Sequence, residues 1–292
     1  MMKSEILHGV IVKSVGGTFS VLSESGLYEC FSPKKFRYKC DDVIVGDKVD
    51  FAVVKAKRGV IDKIYPRKNK LSRPEIANVD VCFVVLAAEP KPDFSLCDKV
   101  LVNCFKQKIC PVVVVNKIDL DGELLVRAQK NYSAIADVVG VSAANGNVEE
   151  LLPYIKGNLV CFAGQSAVGK TSLLNALSVN LREKTGEISD KSGRGTHTTR
   201  HIGIHSVFGG LVADTCGFSL CDLADVRSDE LRLYFDDFVE IGRKCKFSSC
   251  VHVAEPDCAV KDAVQTGVIC KERYERYLQE YAELVEDEKK MY

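Results

Sequence analysis

The stretch Gly164-Gln165-Ser166-Ala167-Val168-Gly169-Lys170-Thr171 fits G-x-x-x-x-G-K-[ST] without a mismatch. An apolar run at 159–163 precedes it and an apolar-rich segment at 172–181 follows, so the spacing predicts strand, loop and helix in that order. Glycines let a backbone wrap an anion, and the N–H groups opening a helix point at it. Lys170 would reach the outer phosphates of a nucleotide, and the Thr171 hydroxyl would ligate Mg²⁺. The eight loop residues and the adjoining Ser172 are therefore candidate nucleotide contacts.

Working outward, Asp214-Thr215-Cys216-Gly217 is a D-x-x-G closing the predicted strand 211–214, after a turn at Gly209-Gly210. A carboxylate there can hold Mg²⁺, and the Gly217 N–H can bond a terminal phosphate. Asn116-Lys117-Ile118-Asp119 follows another apolar run, 111–115. A carboxylate that accepts two N–H bonds selects guanine, whose N1–H and 2-amino group are both donors. Asp119 is thus the expected specificity residue, with Asn116 bonding the base and the Lys117 stem packing along its face. Val141-Ser142-Ala143 ends a further strand, and the Ser142–Ala143 backbone is placed to meet the guanine oxygen.

The order of these pieces is unusual. In an ordinary GTPase the phosphate loop comes first; here N-K-I-D and V-S-A precede it, which reads as a circularly permuted G domain. A permutation keeps the sheet and moves only the termini. The Gly- and Ser-rich stretch 182–200 takes the place of a switch ordered by γ-phosphate and Mg²⁺. Either Thr198 or Thr199 should complete the Mg²⁺ shell, Thr199 being nearer the next strand. Phe218 stands where a water-orienting glutamine is common, and a phenyl ring cannot orient water. Intrinsic hydrolysis should therefore be slow unless a partner or another group contributes. His197 is the polar candidate within the switch, with Lys170, Thr171 and Asp214 completing the catalytic set.

Near the C-terminus, Cys245-x4-Cys250-x-His252-x5-Cys258 gathers three thiols and one imidazole. Cys3His is a ligand set for structural zinc, with no position left open for chemistry. The segment around it shows little core, so metal should supply much of its folding energy. The other ten of the thirteen cysteines have no framework spacing and read as reduced thiols, which points to a cytoplasmic location. No secretory signal is visible, and the longest apolar run, 81–88, falls short of the ~18–20 residues of a membrane span. A membrane partner is not expected.

The 292 residues are 46% hydrophobic and 27% charged, which excludes a mainly disordered chain. Short segments at 8–14, 18–23, 27–31, 48–54 and 60–65 with turn signals between them suggest a five-stranded barrel. Apolar strands alternating with helical stretches then suggest an α/β sheet over 71–225, and 226–292 ends in a Glu/Lys/Tyr-rich helix from Lys271. The net charge of zero divides into +6 over 1–70, −2 over 71–225 and −4 over 226–292. A basic run with interleaved aromatics, Lys34, Lys35, Phe36, Arg37, Tyr38 and Lys39, sits in the barrel and suits phosphates and bases. Nucleic acid, if bound, is expected at that end.

Taken together, the motif order, the segment Gly193-Arg194-Gly195-Thr196-His197-Thr198-Thr199-Arg200 and the Cys/His cluster resemble the ribosome small-subunit-dependent GTPase A family over nearly the whole chain. The resemblance implies an OB-fold RNA-binding domain at 1–70, a permuted GTPase domain at 71–225 and a helical zinc domain at 226–292. It also implies GTP hydrolysis in late maturation of the small (30S) ribosomal subunit, stimulated by that subunit and its rRNA, by a protein expected to be monomeric. Cys216 departs from the proline usual in D-T-P-G. The competing expectations are a GTP-dependent binding module with incidental hydrolysis, and a permuted GTPase of large-subunit assembly.

Overall fold

Alternation of buried and less buried side chains shapes the N-terminal strands in a computed structural model, which describes residues 5–33, 42–72, 75–185, 203–214, 223 and 225–290. Strands β1 (Ile6–Val15), β2 (Thr18–Ser23), β3 (Gly26–Phe31), β4 (Lys48–Lys55) and β5 (Arg58–Ile64) form a ring in the order 1-2-3-5-4, closed by β1 pairing with β4. Only the β3–β5 pairing is parallel. Closure leaves no free edge, and this is the five-stranded OB arrangement. Ile11, Val21, Val49, Phe51 and Ile61 fill its interior with no exposed surface. Cys30 joins them, and burial pushes its thiol up to about 11, so it packs as a small hydrophobe.

By backbone contacts the chain falls into two units, 1–82 with 151–162 and 171–218, and 83–150 with 163–170 and 219–292. In the first unit the barrel is followed by a hairpin of three-residue strands, β6 (Lys70–Ser72) and β7 (Glu75–Ala77). Buried amides fix it: Asn69 pairs with both the N–H and C=O of Val79, and Asn78 donates to Gly46 O at 3.0 Å. The fully buried Asp47 receives Arg67 at 2.7 and 2.9 Å. The same unit contains β12 (Gly203–Val207) and β13 (Gly210–Asp214), an antiparallel hairpin. β13 runs parallel to β11 (Leu159–Ala163), and β12 meets β1 at Lys13↔Gly203.

In the second unit β8 (Val81–Ala87), β9 (Cys110–Asn116) and β10 (Asp137–Gly140) lie side by side, with β9 and β10 parallel. Every residue of β8 is buried, which explains its unbroken apolar run. Helix α1 (Phe94–Lys106) is capped by Asp93, whose carboxylate accepts the Leu96 N–H at 2.9 Å. Helix α2 (Glu123–Tyr132) leads to β10. Back in the first unit, a short α3 (Leu152–Ile155) precedes β11, and α4 (Lys170–Thr185) follows the phosphate loop. The C-terminal part is helical, with α5 (Asp236–Gly242), α6 (Ala259–Gln265) and α7 (Lys271–Lys290). None of the described helices is long and apolar enough to cross a membrane.

The C-terminal segment has more core than its sequence suggests. Phe235, Phe238 and Tyr277 are fully buried with ring centroids 4.9–5.1 Å apart, and Val102 of α1 joins the same cluster. The missing apolar bulk comes from aromatic rings scattered over 40 positions, which form no periodic stripe. A buried ionic knot completes the packing. Arg273 of α7 is 1% exposed and donates to Asp98 of α1 at 2.6 Å and to Asp237 of α5 at 3.2 Å. Arg276 also reaches Asp98. Burial opposes the charge on Arg273, but the Asp237 and Asp98 carboxylates outweigh it and hold the guanidinium above its ordinary range.

Removing one member of such a knot strands the others in low dielectric. Asp98→Ala is expected to destabilise the protein by about 3–5 kcal/mol, read by urea titration with tyrosine fluorescence, since the chain has no tryptophan. A loss below about 1 kcal/mol, the size expected of a surface pair, would show that the knot is solvated.

Candidate nucleotide and metal sites

The phosphate loop springs from β11, whose five residues are all buried. Gly164 takes φ +128°, and a Cβ there would stand 2.3 Å from the Val85 carbonyl oxygen, so only glycine lets the loop lie against β8. Gly169 (φ +96°) and Ala167 (φ +64°) curl the loop further, while Val168 is anchored in the core. Ser166 and Ala167 remain at the surface. Lys170 Nζ donates to the carbonyls of Gly164, at 2.8 Å, and Gln165, inside the loop's own cradle. Burial lowers its pKa from the ordinary lysine value. Thr171 and Ser172 occupy the first turn of α4.

The segments that sequence reading assigned to the base meet this loop. Asn116, 2% exposed, donates to Val168 O at 2.9 Å and accepts the Ala143 N–H at 3.1 Å. One side chain therefore fastens the phosphate loop to the Ser142–Ala143 turn, a tie that the motif does not announce. Lys117, at φ +62°, donates to Ala167 O at 3.1 Å and Glu89 O at 2.6 Å. Asp119 is exposed and accepts the hydroxyl of buried Ser142, which leaves its carboxylate in place for further N–H donors. Ser142 is held in turn by reciprocal backbone bonds with Asn147. Gln165 also accepts the Asp93 N–H at 3.2 Å, joining the loop to the start of α1. That contact is not legible in the sequence, because the x positions of the motif carry no constraint.

Asp214, half-buried, closes β13. His197, Thr198, Thr199, Gly217 and Phe218 lie outside the described residues.

At the C-terminal module Cys245, Cys250, His252 and Cys258 bring their ligand atoms within 4.8 Å of one another. His252 Nδ1 is 3.4 Å from the Cys258 sulfur and 3.7 Å from that of Cys245. His252 sits at φ +63°, and its turn is pinned by tyrosines of α7: Tyr274 Oη donates to His252 O at 2.7 Å and Tyr277 Oη to Val251 O at 2.6 Å. Glu255 accepts the Val251 and Val253 N–H groups. Burial, reinforced by the charge of Arg232, pushes His252 down to about 4, so the imidazole is neutral and ready to ligate. Burial lifts the Cys250 thiol to about 12, so a metal entering here would displace protons. Three sulfurs and one nitrogen converging from one turn suit a tetrahedral ion.

Known proteins resemble this chain over nearly its whole length. The RsgA GTPase family profile matches residues 64–224, and the RsgA N-terminal domain profile matches 8–61. A protein of Caldanaerobacter subterraneus subsp. tengcongensis named small ribosomal subunit biogenesis GTPase RsgA is 43% identical, the match covering 99% of each chain. The protein of that name from Geobacillus kaustophilus is 44% identical over 95% of this chain and 97% of its own. Among solved structures, YjeQ from Thermotoga maritima superposes with a TM-score of 0.84 at 35% identity, covering 96% of this chain and 99% of that one. YloQ, described as a circularly permuted GTPase, gives 0.83 at 32% identity, covering 98% and 97%.

Because the Val85 carbonyl leaves no room for a Cβ, Gly164→Ala should displace the loop and weaken binding of a fluorescent guanine nucleotide by about 100-fold or more. Affinity within about twofold of wild type would show that the loop relaxes around the methyl.

Proposed function

This chain belongs to the RsgA GTPase family, and from that premise we propose that it binds and hydrolyses GTP to promote late maturation of the small ribosomal subunit. The observation that carries the reading is the Asn116 tie: one buried amide sets the phosphate loop and the Ser142–Ala143 turn around a common space, beside the exposed carboxylate of Asp119.

In this reading GTP lies with its base between Asp119 and the Ser142–Ala143 turn. The N–H groups of 164–170 and the Lys170 ammonium receive the phosphates. Thr171, Asp214 and Thr199 would hold Mg²⁺, which would supply positive charge to the phosphates. The Gly217 N–H bonds the γ-phosphate, and His197 orients the attacking water. The Phe218 ring cannot take that role, so turnover is slow until the small subunit completes the site.

The domains are 1–70, a barrel that meets rRNA through its basic run; 71–225, the permuted GTPase; and 226–292, folded around one Zn²⁺ held by Cys245, Cys250, His252 and Cys258. The protein acts as a monomer in the cytoplasm. GTP orders the switch segments and favours the subunit-bound state, and hydrolysis releases it.

The reading is tested by GTP turnover with and without purified small subunits at 50 and 200 mM salt. Stimulation that falls with salt is expected, since phosphate contacts release counterions; fast turnover indifferent to subunits would overturn it. Equal subunit affinity with GTP and GDP would favour a binding module with incidental hydrolysis. For the base, Asp119→Asn removes an acceptor of two N–H bonds and should cost about 100-fold in GTP affinity. Unchanged preference for GTP over ATP would refute the assignment.

A further inference from the structure

Gln165 of the phosphate loop is bonded in two directions. Its backbone carbonyl accepts from the Lys170 ammonium, while its side-chain Oε1 accepts the Asp93 N–H at 3.2 Å. One residue therefore meets the phosphate-binding lysine through its main chain and the start of α1 through its side chain. Asp93 is fixed in turn, because its carboxylate caps α1 at the Leu96 N–H. A short stretch of helix moves as a rod, so whatever seats α1 also sets where the Asp93 N–H meets the loop.

Helix α7 does that seating. Phe94, the first residue of α1, is buried with the Arg127 guanidinium of α2 4.6 Å and the Arg276 guanidinium of α7 5.3 Å from its ring centroid. Asp98, just over one turn beyond Asp93, receives both Arg273 and Arg276. Lys99 pairs with Glu283 at 2.8 Å. On the neighbouring helix, Arg127 donates to Glu272 through two nitrogens at 2.9 and 3.0 Å. The contacts to α1 fall on its first two turns, the end that touches Gln165. A cleft of about 620 Å³ opens where these elements meet, lined by Gln165, Asp93, Phe94, Arg127, Glu272 and Arg276 among others. It gives the Gln165 side chain room to shift if the Asp93 N–H moves.

We infer that Gln165 is a positioning residue of the phosphate loop, and that the seating of α7 on α1 sets, through the Asp93 N–H, how tightly guanine nucleotide is held. The inference rests on the GTP-binding reading above and adds a regulation of that site from the far end of the chain. The ionic contacts of α7 then contribute to nucleotide affinity, and a force that unseats α7 speeds nucleotide release.

The test uses the full-length chain and a fluorescent GDP analogue, with affinity read by titration and release by stopped flow. Gln165→Met keeps the length of the side chain and removes the acceptor. It should speed release and weaken binding about tenfold, the usual scale for a hydrogen-bonding group left bare. Arg276→Met should weaken binding in the same direction. The double variant should depart from the product of the two single effects by about threefold or more, as coupled residues do. Multiplication within about twofold, the behaviour of independent sites, overturns the inference, as does a Gln165→Met affinity within about twofold of wild type. Glu286→Gln, exposed on α7, is the control and should multiply with Gln165→Met. Should a urea transition show Arg276→Met unfolded, Glu283→Gln, a surface change that breaks the Lys99 pair, takes its place in the cycle.

Hydrogen exchange separates positioning from stability. Saturating GDP should slow exchange over 94–106 and 271–284 in the wild type and leave those segments unchanged in Gln165→Met. Equal slowing in both proteins would mean that the glutamine does no more than stabilise the loop, and the inference fails. A wild type that binds no guanine nucleotide would refute the GTP reading itself, whereas a binding wild type matched by its variants refutes the positioning role alone.

Discussion

A carboxamide taken out of water must recover its hydrogen bonds or lose 1–3 kcal/mol for each group left bare, on the order of the stability margin of a small domain divided by a few. Asn116 recovers them from the Val168 carbonyl and the Ala143 N–H, 52 and 27 positions away along the chain. The nucleotide face depends on that exchange. Without it, the phosphate loop and the Ser142–Ala143 turn would lose the one side chain that bonds both. With it, the Lys117 ammonium finds Ala167 O and the Asp119 carboxylate finds the Ser142 hydroxyl. Hydrogen bonds of this kind are indifferent to which partner is translated first, and this is why the motifs work in permuted order.

Much of this was legible in the sequence where periodicity or chemistry is local. β11 is found at the residues its apolar run marked, and the barrel strands lie within two or three residues of their alternating segments, because a half-buried strand must alternate. The Cys/His cluster could be read because ligands close in sequence need only one turn to converge. The β6–β7 hairpin was not legible, since three-residue strands are too short to show a period. Nor was the knot around Asp98, whose partner Arg273 is 175 positions away and reads as one more charge on a charged helix.

That knot has a charge balance of its own. Two guanidiniums, Arg273 and Arg276, face two carboxylates, Asp98 and Asp237. Glu280 is fully buried beside them with neither oxygen hydrogen-bonded, and burial, then the nearby Asp98 charge, raises its pKa well above the ordinary value. That direction favours the neutral acid, the form in which the pairs around it stay matched two against two. Ion pairs of this sort add less stability than an apolar core of the same volume, and their value lies in direction. A guanidinium fork accepts few orientations of its carboxylates, so α7 packs on α1 and α5 in one register where aromatic rings alone would allow several.

The meeting of β1 and β12 has a mechanical side. Lys13 pairs with Gly203, and Gly203 pairs across its other edge with Asp214, so one row of residues crosses three strands. Neighbouring strands are ~4.8 Å apart, which places the backbone of the barrel's first strand about 10 Å from that of Asp214. Among the described residues this is the one pair between β1 and β12, and it lies beside an irregularity in β1 between Ile11 and Lys13. Ladders loaded at a terminal pair open one bond at a time, like a zip, whereas pairs loaded together resist as a block. Among the described residues the barrel is thus joined to the hairpin by one pair of residues, against the five pairs that hold the hairpin itself.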